Sequence, residues 1–206
     1  AFSFNYLLEH YQAIIDQAES QLIAAARDQK TDQDKARFIA AIEQCQRLKG
    51  GMVAAFGHGL MAALKPLNGH PADAQPQLSF QNSGNALGRL GGDDVTLMLY
   101  AASQAEQRYE NLNKTISRAL AKSLPGSHIN TANNPFSPMI ISNALFTSLQ
   151  ITSMHPAAKK EILALFERLL LGRLDSFYQQ ILQQLQAAGI GIDMPEHLAD
   201  SPEDGV

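Results

Sequence analysis

Tryptophan is missing from the chain, and cysteine occurs once, at Cys45. A single thiol excludes an internal disulfide and suits a reducing compartment, so the expected location is cytoplasmic. Charge is sparse as well. Lys+Arg number 16 against 20 Asp+Glu, a formal net charge of -4, and charged residues make up only 17% of the chain. No cationic run is longer than Lys159-Lys160. A nucleic-acid binder would present a basic stripe, so none is expected as a partner. Long apolar runs are lacking too. The most membrane-like window, Gly50 to Leu64, is interrupted by Gly50, Gly51, Gly57 and Gly59. It falls short of the roughly 20 apolar residues that span a bilayer, so no membrane span is expected. No basic segment leads into an apolar core and a small-residue cleavage site, which argues against a signal peptide. Alternation with period two never persists, and no repeat of 20 to 50 residues is seen.

What is present is a globular composition, 45% hydrophobic over 206 residues. A chain of this size buries about 70% of its unfolded surface, enough for one core. Leu7, Leu8, Tyr11, Ile14, Ile15, Ala18, Leu22 and Ala25 recur at helical spacing and predict a helix from Ser3 to Asp28. Thr31 and Asp32 offer N-cap oxygens for a second helix reaching Lys65. The glycines in that helix predict a bend or a close helix contact. Prolines 66, 71 and 76 and several glycines make residues 66–92 a long loop. A third helix opens at Asp93-Asp94 and runs on one stripe, through Met98, Ala102, Ala105, Tyr109, Leu112 and Ile116, to before Pro125. Ser137-Pro138 is an N-cap and N1 pair that starts a fourth helix ending near Thr152. Pro156 opens a fifth, with an interruption at Gly172 and a C′ stop at Gly189. The expected fold is all-α, a bundle of about five long helices, mostly antiparallel, forming one domain over 1–192. A polar tail follows over 193–206.

Chemistry-bearing constellations are few. The histidines, at positions 10, 58, 70, 128, 155 and 197, form neither His-x3-His nor Glu-x-x-His, so no metal site is expected. Cys45 reads as an unreactive helical cysteine. Gly84, Gly88, Gly91 and Gly92 precede a helix, but Asp93-Asp94 would repel an anion there. No cofactor is expected. From Ser123 to Ala158 there is no Asp, Glu, Lys or Arg. The helix inside that stretch is apolar on more than one side, which has two readings. It is a central helix covered by the others, or it docks a protein partner through Met139, Ile140, Phe146 and Leu149. Leu171 with Phe177 or Tyr178 reads as core, with a homodimer patch as the alternative.

The runs Ala36-Arg37-Phe38, Ala54-Ala55-Phe56, Glu106-Gln107-Arg108-Tyr109, Asn134-Pro135-Phe136-Ser137-Pro138 and Leu165-Phe166-Glu167-Arg168 look familiar together. With them the chain resembles the proteobacterial family of unknown function DUF1631, over most of its length and in the N-terminal region of that family. The resemblance implies a part of a larger cytoplasmic bacterial protein, and it brings no catalytic residues. The label of thymidine phosphorylase that some members carry is not supported by these residues, because no phosphate-binding loop is seen. The favoured reading is a non-enzymatic interaction or regulatory module. It would bind a protein partner or other domains of its own chain. The alternative is a signalling receptor for a small cyclic nucleotide, held by Arg89, Arg108, Arg118 and Lys122.

Overall fold

The computed structural model describes residues 2–64, 92–124, 129–150 and 154–192. Among these the fold is all-α, with seven α-helices and no strand. The first helix, α1 (Phe2–Arg27), buries the expected stripe of Leu7, Tyr11, Ile14, Ile15, Ala18 and Leu22. The second, α2 (Asp32–Leu64), starts where Thr31 caps it. The Thr31 hydroxyl accepts from Asp34 N at 3.1 Å and donates to the Asp34 carboxylate at 2.6 Å. The two helices form an antiparallel hairpin. Asp16 pairs with Lys49, Tyr11 lies 4.4 Å from Phe56 between ring centres, and Gly57 faces Leu8.

Of the two expectations for the glycines of α2, a bend or a close helix contact, the close contact is the one found, on a helix that runs unbroken for about 50 Å. At Gly59 an added Cβ would lie 2.9 Å from Ala144 Cα, so glycine allows α2 to touch the backbone of a neighbour. At Gly50 and Gly51 nothing lies within 4 Å, and the helix continues through them.

That neighbour is α5 (Pro138–Gln150), the charge-free helix. Ile140, Ile141, Ala144, Leu145, Phe146 and Leu149 are all buried, and α5 packs on α2 and on α3 (Gly92–Arg108). It is the covered central helix of the two readings. Its Ser148 is a buried polar anchor, which accepts from Tyr11 Oη at 2.6 Å and donates to Leu145 O at 2.7 Å. Burial holds the Tyr11 phenol far above its ordinary range.

Two of the expected long helices are broken. The third is split into α3 and α4 (Glu110–Ser123) at Tyr109, whose φ of -105° and ψ of 17° leave the helical region. The fifth is split into α6 (Pro156–Leu169) and α7 (Leu174–Ala187) by a 3-10 turn, Leu171–Arg173, which contains Gly172. The break at Gly172 was expected and the break at Tyr109 was not. The apolar stripe passes straight through Tyr109, so periodicity carries no sign of it. Tyr109 Oη donates to Gly172 O at 3.0 Å, so the two breaks are tied to each other. At its far end α7 stops as expected. Gly189 sits at φ +78°, with Ile190 N bonded to Leu185 O and Gly189 N to Gln186 O, which is the Schellman arrangement.

Around the Tyr11, Phe56 and Phe166 rings, α1, α2, α5 and α6 share one core. Leu171, Phe177 and Tyr178 belong to that core and are buried. Of the two readings of these residues, this is the core one. The loop at 66–91 and the tail at 193–206 lie outside the described residues.

Candidate functional site

The Asn134-to-Pro138 corner is organised from within. Asn134 is fully buried. Its Oδ1 accepts from Phe136 N at 3.0 Å and its Nδ2 donates to Asn113 Oδ1 at 2.6 Å. Asn113 Nδ2 in turn donates to Glu106 Oε2 at 3.1 Å, and Glu106 Oε1 accepts from Met139 N at 3.1 Å. The Ser137 hydroxyl also bonds to Glu106, and its oxygen accepts from Ile140 N at 3.3 Å as the N-cap of α5. Tyr178 Oη closes the corner on Phe136 O at 2.8 Å. A carboxylate thus docks on the first turn of α5, where free backbone N–H groups favour an anion. Burial nevertheless outweighs the three hydrogen bonds and raises the Glu106 pKa above its ordinary value. Burial, followed by the charge of Glu106, likewise lifts Tyr178 well above the usual phenol range.

This network is saturated. Both oxygens of Glu106 hold groups of the same chain, so its chemistry is to fasten α3 and α4 to the start of α5. The Asn-Pro-Phe-Ser-Pro corner and the Glu106 run both stand among the motifs that carry the family resemblance, but the sequence reading gave Glu106 and Asn113 no role in holding that corner. Spacing carried no signal for the pair, because the helix breaks at Tyr109 between them and Glu106 reaches Met139 N only through the fold.

The open feature lies on the opposite side of α3. Here α3 and α6 run side by side in the same direction. Lys159 pairs with Asp94 at 3.0 Å near their starts, and Arg108 and Arg168 stand in their last turns. Between them and the 3-10 turn is a groove of about 470 Å³, in the size range of ligand sites. Its floor is small and apolar, built from the buried Ala101, Ala105 and Leu171. Its rim is exposed and includes Tyr100, Gln104, Arg108, Glu167 and Arg168. Tyr100 is 65% exposed, and Leu97, one turn earlier on the same stripe, is 67% exposed. No ion pair engages Arg108, Glu167 or Arg168 among the described residues.

The residues singled out from sequence fall in separate places. Ile140, Phe146 and Leu149 are buried in the core and Met139 is half-buried. They are no free docking surface, since α2 and α3 already cover them. Of the four cations, Arg108 lines the α3–α6 groove. Arg118 and Lys122 share a face as their spacing implied, but line a different notch with Gly191 and Ile192, where Lys122 Nζ donates to Gly191 O at 3.4 Å. Arg89 lies outside the described residues. The four are therefore not gathered into one anion site among the described residues. Cys45 is buried, and its thiol is pushed up to about 11 by burial and then by Glu19, the setting of an inert thiol. Among the described residues no group of three or more His, Cys, Asp or Glu stands ready for a metal ion. No described helix is long and apolar enough to cross a membrane.

The sequence profile of the family described as protein of unknown function (DUF1631), N-terminal domain, matches residues 3–189. The chain belongs to that family, as the resemblance implied. A search of the curated proteins and a search of the solved structures found no match.

Proposed function

We propose that this DUF1631 N-terminal domain is a non-enzymatic docking or regulatory module of a larger bacterial cytoplasmic protein, and that its docking surface is the α3–α6 groove. The observation that carries this reading is the pair of exposed apolar side chains, Leu97 and Tyr100, beside a trough whose rim charges, Arg108, Glu167 and Arg168, make no ion pair among the described residues. Apolar groups exposed at adjacent turns and rimmed by polar residues are the kind of surface that partners cover, and Tyr and Arg are enriched among the residues that dominate binding energy at interfaces. The saturated state of Glu106 supports the non-enzymatic part, because the buried carboxylate is consumed in holding helices together.

Photo-crosslinking in the source cells tests this. A photoreactive residue at position 100 is expected to give discrete high-mass adducts, whereas one at position 118, on α4, is expected to give few. Adducts absent at 100, or equally abundant at 118, would contradict the assignment of the surface.

A further inference from the structure

Resting on that docking reading, we infer that the groove takes an acidic peptide segment, one in which a carboxylate follows a bulky apolar side chain at a set distance. The charge pattern along the groove points to this occupant. At the start of α3 and α6, Asp94 is neutralised by Lys159. At the other end, Arg108 and Arg168 make no ion pair among the described residues and are opposed in the lining only by Glu167. The cationic end is thus two guanidiniums against one carboxylate. Each arginine complements the last turn of its helix, a role that asks only for positive charge and not for the hydrogen-bond geometry of the guanidinium. A guanidinium presents a planar fork that matches a carboxylate.

The apolar end is equally defined. Ala101 and Ala105 are small and buried, so the floor recedes beneath the exposed Tyr100 ring and leaves room for a large side chain. Position 100 is separated from position 108 by about 12 Å along the helix axis. An occupant that meets both ends therefore needs its apolar anchor and its carboxylate about four residues apart if extended, or about two turns apart if helical. Tyr109 acts as a positioning residue for the Gly172 end, since its hydroxyl donates to the Gly172 carbonyl at 3.0 Å.

Selection of displayed random 12-residue peptides on the folded chain tests the inference. Enriched peptides are expected to pair Leu, Phe or Tyr with Asp or Glu at these spacings. Their affinity should fall roughly three- to tenfold in Arg108→Gln and in Arg168→Gln, variants first checked for unchanged circular dichroism. It should rise in Glu167→Gln, which removes the opposing charge, and should weaken with added salt. Peptides that need Tyr100 but are neutral or basic, or that bind both arginine variants undiminished, would overturn the acidic occupant while leaving the docking surface standing. Peptides indifferent to Tyr100→Ala, or no enrichment at all, would overturn both.

Discussion

Glu106 lies under the first turn of α5 with both oxygens engaged, and its folded pKa is nonetheless raised above the ordinary 4.5. The fold therefore favours the protonated acid. The stability this site contributes is full below the unfolded value and is lost as pH rises through the folded value. We expect stability measured by denaturant unfolding to decline over that window upward from about 4.5, and Glu106→Gln to flatten the decline. An unchanged slope in the variant would place the titration elsewhere. Glu106→Ala should be worse at every pH, costing about 1–3 kcal/mol for each donor left bare, at Met139 N and Asn113 Nδ2. Glycines give a second contrast. Gly59→Ala forces a Cβ onto Ala144 Cα at 2.9 Å and should destabilise by about 1–3 kcal/mol. Gly50→Ala meets nothing and should stabilise by about 0.5–1 kcal/mol. Thermal melts of the two variants moving in the same direction would refute this. Sequence made the close approach of α2 legible but not which glycines made it. Glu106 was illegible because its partners are 7 and 33 residues away and are met only through the fold.

Helix identity at the scale of elements follows from apolar spacing and caps. Thr31, Ser137, Pro138, Pro156 and Gly189 all stand where their chemistry placed them. The long third helix is different. Its stripe is continuous, yet the chain bends at Tyr109 so that α4 can lie on α7 while α3 lies on α5 and α6. Two sets of partners for one stripe is a tertiary fact, and local periodicity carries no record of it. The bond from Tyr109 to Gly172 couples this bend to the 3-10 turn. Tyr109→Phe keeps the ring and removes the bond. It should cost about 1 kcal/mol and raise amide exchange around residues 171–174 above that of the helices on either side. Exchange unchanged there would mean that ring packing alone sets the two breaks.

For the whole molecule, a helix without charges over a long stretch of sequence posed a choice between interior and interface, and α5 is interior. The groove was illegible because its two walls lie about 60 residues apart in the chain, and its arginines read singly as ordinary solvated cations. The side-by-side comparison of Phe146→Glu and Tyr100→Glu tests the account most directly, by melting temperature and by capture of a groove-dependent peptide. Phe146→Glu puts an unpaired charge into the core at 2% exposure and should abolish the cooperative transition. Tyr100→Glu, on an exposed rim, should shift the melting temperature by only about 1–2 °C and yet lose capture. A folded Phe146→Glu that alone fails to capture, with Tyr100→Glu binding normally, would contradict the account and put the docking face on α5.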